Sequence, residues 1–267
     1  LAKDANAAAM KALELGAVEV VPKPGGPFSV EEVVPYLAER IVAASKANIA
    51  RLKQSLPSPS SLLTPIKQTN KRRYLADLKT TNQLIAIGAS TGGTIALEAL
   101  FREWEDSFPP TLVVIHMPER FTATFASRLN DLSSARVKEA ENGERLLSGT
   151  IYIAPGNYHM LLRSHGTERT IKVSSGPKVC NQRPAVDPLF ESVAEYAGRN
   201  CIALLLTGMG RDGARGLLSI KNAGGRTIAQ DEESSIVWGM PKEAIDLGAA
   251  EFVLPLSSMV SHLSTLL

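Results

Sequence analysis

The chain has 267 residues, 44% hydrophobic and 21% charged, with a net charge of +2. This is ordinary for a soluble globular protein, and the length favours two cores over one. No apolar run approaches the ~20 residues needed to cross a bilayer, no charged-then-apolar leader opens the chain, and Cys180 and Cys201 stand in no metal-ligand spacing, which argues against a disulfide or zinc framework.

Residues 3–14 are rich in helix formers and Gly16 follows as a stop. Val18 to Val21 reads as a short buried strand, and Lys23-Pro24-Gly25-Gly26 as a turn. Ser29 can cap a helix whose apolar side, Val33, Val34, Leu37, Ile41 and Val42, runs to about residue 48. This piece is too small for a domain and reads as the tail of one. Residues 49–82 lose all periodicity beyond a possible helical turn at their start and contain SLPSPSS; residues 46–82 carry a local charge of +7, leaving −5 for the rest. A basic stretch can signal nucleic acid, but this one is poor in aromatics and is expected to be a flexible linker with no nucleic-acid partner.

From Gln83 the pattern becomes strand, loop, helix, repeated. Strands are predicted at 84–87, 111–115, 150–154, 169–173, 201–206, 226–229 and 251–254, and helices at 95–104, 121–131, 187–198 and 213–223. Near-continuous apolar strands alternating with helices imply an α/β, doubly wound, mostly parallel sheet covered on both faces. Active sites in such sheets lie beyond the carboxyl ends of the strands, so the loops after residues 87, 115 and 206 are the places for chemistry.

The first loop is Gly88-Ala89-Ser90-Thr91-Gly92, a G-x-S-x-G between strand and helix that can lift a serine hydroxyl out of the sheet. The second places His116 directly after TLVVI, where an imidazole can serve as base. His159, after a strand and a turn, is its rival. The third, Gly208-Met209-Gly210-Arg211-Asp212-Gly213, has two readings. As G-x-G-x-x-G with Asp231 further on, it matches a dinucleotide-binding fingerprint. Alternatively Asp212 completes a serine–histidine–acid set, in an order that differs from that of common α/β-hydrolases. On the residues alone both readings stand.

The blocks IAIGASTGG (85–93), HMPERFT (116–122), IYIAPGNYHM (151–160), NQRPAVDPLF (181–190) and LLLTGMGRDGA (204–214) resemble the signature blocks of the chemotaxis protein-glutamate methylesterase, also the receptor glutamine deamidase. The resemblance implies a cytoplasmic serine hydrolase with Ser90, His116 and Asp212 as catalytic triad and the backbone N–H of Met209 in the oxyanion hole. It implies no metal or organic cofactor, and methyl-accepting chemotaxis receptors as protein substrates. Residues 1–48 resemble the end of a response-regulator receiver domain, with Lys23 at the phosphate-contacting lysine. A histidine kinase is thus implied as phosphodonor only where a full receiver is present. The organisation expected is a receiver remnant at 1–48, a linker at 49–82 and a methylesterase domain at 83–267. The receiver of that family is thought to cover the active-site cleft, and the remnant here is expected to be poorly ordered or loosely docked.

Overall fold

A computed structural model describes residues 8–9, 11–13, 15–21, 30–55, 82–119, 121–166 and 168–267. The readings made for Lys23, and for the linker over 56–81, lie outside the described residues. The strands are β1 (Leu84–Ala89), β2 (Thr111–Ile115), β3 (Arg136–Glu139), β4 (Thr150–Ile153), β5 (His159–His165), β6 (Glu168–Ser174), β7 (Cys201–Leu205), β8 (Arg226–Gln230) and β9 (Phe252–Leu254). The helices are α1 (Val30–Ser45), α2 (Ile49–Ser55), α3 (Gly93–Arg102), α4 (Phe121–Leu132), α5 (Val186–Tyr196), α6 (Ala214–Asn222), α7 (Met240–Asp246) and α8 (Met259–Leu266).

Seven strands form one parallel sheet in the order β3-β4-β2-β1-β7-β8-β9. The central strand shows why. Every residue of β1 is buried, and the two-residue period sends Ile85, Ile87 and Ala89 to one face and Leu84 and Ala86 to the other. Leu97, Leu100 and Phe101 of α3, Phe125 and Leu129 of α4, and Met259 and Leu263 of α8 cover the first face. Val186, Leu189 and Phe190 of α5, Leu217 and Ile220 of α6, and Met240 of α7 cover the second. Each such fully buried side chain contributes roughly 1.5–3 kcal/mol of transfer free energy.

The chain steps from β1 to β2, then to the edge strand β3 and back to β4 between them, before crossing to lay β7, β8 and β9 on the other side of β1. Its direction therefore reverses at β1, and the carboxyl ends of β2, β1 and β7 lie side by side at a topological switch point.

Besides β3, α7 and α8, which the pattern does not predict, three regions depart from the sequence reading. Residues 169–173 are a strand, but β6 pairs antiparallel with β5 in a separate two-stranded sheet. That hairpin packs on α5, where Ser192 Oγ accepts the Leu162 N–H at 2.9 Å. Val18 to Val21 is not a strand; among the described residues no strand pairs with it, and its Glu19 carboxylate turns toward the sheet domain instead. Ile49–Ser55, read as linker, is helix α2, with Leu52 buried against Ile236 and Val237. Arg51 ties it further, donating to the backbone oxygens of Glu232 and Ser235.

Candidate active site

Ser90 leaves β1 into the turn that starts α3. Its N–H donates to Thr207 O at 3.0 Å and its carbonyl accepts the Gly93 N–H at 2.6 Å. Gly92, at the N-terminal cap of α3, has φ +80°, a left-handed conformation that L side chains rarely adopt. The turn is tight because the chain reverses within three residues, and it aims the hydroxyl away from the sheet.

His116 follows β2, and its backbone N–H donates to Ala89 O at 3.2 Å, locking the two strand ends together. Its Nδ1 lies 3.0 Å from Ser90 Oγ and its Nε2 lies 2.7 Å from Asp212 Oδ2. A carboxylate can only accept, so Nε2 carries the proton and Nδ1 faces the serine hydroxyl as acceptor. Ser90, His116 and Asp212 are 7%, 6% and 2% exposed, so the chain of hydrogen bonds is shielded from water.

Asp212, beyond β7, receives more than the imidazole. Oδ2 also accepts the Val186 N–H at 2.6 Å, and Oδ1 accepts the Asp187 N–H at 2.9 Å. These are unpaired donors of the first turn of α5, whose cap residue Ala185 has no side-chain acceptor. Burial pushes the Asp212 carboxyl up, but the hydrogen bond and charge of His116 and the two backbone donors outweigh it and hold the group below the ordinary carboxylate value. Asp187 repeats the device in reverse. Its Oδ1 accepts the N–H groups of Gly213 and Gly216, at 3.0 and 2.8 Å, at the start of α6. Burial pushes Asp187 up to about 6, against the pull of the Gly216 and Gly213 N–H groups and with the charge of Asp212 adding to the rise.

This arrangement bears on the two readings of the third loop. The helix N–H groups that would cradle a pyrophosphate are occupied by Asp187, and Asp231 accepts from the Ser234 N–H and hydroxyl at 2.9 and 2.6 Å, closing its own turn. The loop is a scaffold for Asp212. Gly208 makes this possible, because a Cβ there would stand 2.4 Å from Met240 Sδ and 2.7 Å from Ser90 Cβ. Met209 follows directly, and among the described residues no acceptor is paired with its backbone N–H.

His159, the rival base, is used elsewhere: Nε2 bonds to Pro177 O at 2.9 Å and Nδ1 accepts the Ala185 N–H at 3.2 Å. Cys180 Sγ lies with carboxylate oxygens of Asp187 and Asp212 inside a 4.8 Å cluster. Both carboxylates are engaged by the N–H donors described above, which accounts for the cluster without a metal.

Described residues before 56 contact these groups. Arg40 of α1, 4% exposed, sets Nη1 at 3.5 Å from Ser90 Oγ, 2.9 Å from Glu19 Oε2, and Nη2 at 3.3 Å from Gln182 Oε1. Glu19 Oε2 also accepts the Thr91 hydroxyl at 3.0 Å, and Gln182 Nε2 donates to Glu39 Oε1 at 3.1 Å. A cavity of about 20 Å³ is left between Leu13, Val18 and Glu19 on one side and Ser90, His116 and Met117 on the other. Thr91, Gln182 and Asp187 were not singled out by the sequence reading. Gln182 and Asp187 lie in the NQRPAVD block and Thr91 in the GASTGG block, which gives proximity but no role.

Comparison with known proteins places these loops in context. Residues 85–263 match the family model described as CheB methylesterase. The chain is 48% identical over 257 residues to a protein-glutamate methylesterase/protein-glutamine glutaminase of Anaeromyxobacter dehalogenans, covering 96% of this chain and 71% of that protein. It is 44% identical over 270 residues to the protein of the same name in Sulfurimonas denitrificans, covering 100% and 75%. The crystal structure of the Thermotoga maritima CheB methylesterase catalytic domain matches with a TM-score of 0.68 at 40% identity, over 69% of this chain and 98% of that one.

Proposed function

The chain belongs to the CheB methylesterase family, and on that premise we propose that it hydrolyses glutamate γ-methyl esters, and deamidates glutamines, of methyl-accepting chemotaxis receptors with Ser90 as nucleophile. The observation that carries this reading is the continuous hydrogen-bonded line from Ser90 Oγ through His116 to Asp212.

His116 Nδ1 takes the hydroxyl proton as Ser90 Oγ attacks the γ-carbonyl carbon. The imidazolium so formed donates through Nε2 to Asp212, whose charge stabilises it. The oxyanion accepts the N–H of Met209, the residue after Gly208, which packs against Ser90. The bond to the leaving group then breaks, and methanol or ammonia departs with the proton from His116. Water enters, gives its proton to His116 and attacks the acyl-enzyme; serine is released together with a glutamate carboxylate. Every step uses groups of this chain and water.

We read residues 1–48 as a receiver remnant, 49–82 as a linker and 83–267 as the catalytic domain, acting in the cytoplasm. No helix among the described residues is long and apolar enough to cross a membrane. A histidine kinase is a partner in this reading only for a chain carrying a complete receiver.

The test is release of methanol from methylated receptor membranes and of ammonia from receptors carrying glutamine at the same sites. Ser90→Ala and His116→Ala are each expected to abolish both without unfolding the protein. Retention of either activity by Ser90→Ala would remove Ser90 from the mechanism.

A further inference from the structure

Gln182 is buried beside the nucleophile, yet its carboxamide has no partner in its own half of the molecule among the described residues. Its two hydrogen bonds go to α1: Oε1 accepts from Arg40, and Nε2 donates to Glu39. The backbone that presents it is unusual. Val179 and Gln182 exchange N–H···O bonds of 3.1 and 2.8 Å around a two-residue turn whose central residues, Cys180 and Asn181, have φ of 50° and 60°. That turn type favours glycine or asparagine, and a cysteine held there marks a conformation fixed by its surroundings.

One guanidinium, that of Arg40, touches both Ser90 Oγ and Gln182 Oε1. A guanidinium, a carboxamide and a carboxyl ester share one shape, a planar trigonal carbon with three substituents. A substrate γ-group taking the place of the guanidinium can therefore meet Ser90 on one side and Gln182 on the other. Gln182 already shows both bonds it would need. It accepts N–H from a planar nitrogen group, and it donates to a carboxyl oxygen presented by a glutamate on a helix.

From this juxtaposition we propose that Gln182 is a specificity-determining residue, whose carboxamide binds the leaving-group side of the substrate. Oε1 accepts the N–H of a glutamine γ-amide, and after rotation of the amide Nε2 donates to the alkoxy oxygen of a methyl ester. An amphoteric side chain serves both substrates, whereas a purely accepting one serves only the amide. The assignment rests on the esterase and deamidase reading given above.

The experiment compares kcat/KM for methanol and ammonia release from one helical peptide carrying the ester or the glutamine at the same position. Gln182→Glu keeps acceptors and loses the donor. It is expected to lower ester turnover at least about tenfold relative to amide turnover. A change in docking of α1, which Glu39 opposite a new carboxylate would provoke, moves both rates together and leaves the ratio alone. Gln182→Met, of similar length with neither donor nor acceptor, is expected to lower both rates, with an unchanged melting curve showing that it folds. An unchanged ester-to-amide ratio in Gln182→Glu, or wild-type rates in Gln182→Met, would overturn the assignment while leaving the esterase reading intact. A wild-type protein with neither activity would overturn both.

Discussion

Replacing Asp212 with asparagine tests the triad where its geometry is most constrained. Three N–H donors converge on this carboxylate: His116 Nε2 and Val186 N on Oδ2, and Asp187 N on Oδ1. An asparagine offers one oxygen and one NH₂. With the oxygen in the Oδ2 position, the bonds to His116 and Val186 survive, but the NH₂ faces the Asp187 N–H and a buried donor goes unpaired. With the oxygen at Oδ1, the NH₂ opposes the Val186 N–H and donates to His116 Nε2. The ring proton is then forced onto Nδ1, against the Ser90 hydroxyl, where it cannot act as a base. Either orientation leaves an unsatisfied buried group, costing about 1–3 kcal/mol of stability. Neither supplies a charge for the imidazolium. The expected result is a fall in kcat/KM on the order of 10⁴-fold, or ~5.5 kcal/mol of transition-state stabilisation. A drop in Tm on the order of 2–12 °C should accompany it. Methanol release and a thermal melt on the same preparation read the two effects. Near wild-type kcat/KM in Asp212→Asn would refute the assignment of Asp212 to the triad.

Two further outcomes follow from groups around the site. Arg40→Ala removes a guanidinium lying 3.5 Å from Ser90 Oγ, so serine-directed labelling and methanol release should both rise about fivefold, the worth of roughly 1 kcal/mol; unchanged rates would mean the contact does not restrain the nucleophile. Asp187, raised to about 6 by burial, ionises in the unfolded chain near pH 4 but later in the folded one. Wild-type stability should therefore fall as pH rises from about 4 to 6, by on the order of 2–3 kcal/mol, and level off above. Asp187→Asn keeps an acceptor for Gly213 and Gly216 but cannot ionise, so denaturation midpoints across this range should lose that slope; a slope persisting in the variant would assign it to another group.

Much of the catalytic half was legible because its strands are buried on both faces. Leu84–Ala89, Thr111–Ile115 and Cys201–Leu205 stand out as apolar runs; Ser90 and His116 follow the first two directly, and Asp212 stands in the loop after the third. Local pattern says nothing about what pairs with what, however. Arg136–Glu139 alternates weakly at the sheet edge and is half-exposed, so its run carries no strand signal of its own. His159–His165 becomes a strand only by pairing with Glu168–Ser174. The choice between a dinucleotide loop and a triad loop was equally beyond local pattern, since it depends on Asp187, distant in sequence, occupying the N–H groups of Gly213 and Gly216. The contacts of Arg40 over Ser90 were not legible for the same reason: Arg40 is one charged residue in a helix until Glu19, Gln182 and Ser90 are brought to it.

The central claim is that Ser90 is the nucleophile, and covalent labelling addresses it without any assumption about substrate. Treatment with a fluorophosphonate, followed by peptide mapping by mass spectrometry, should place a single adduct on Ser90, with none in Ser90→Ala and a strongly slowed reaction in His116→Ala. An adduct on another serine, or labelling that persists at the wild-type rate when His116 is removed, would contradict the account.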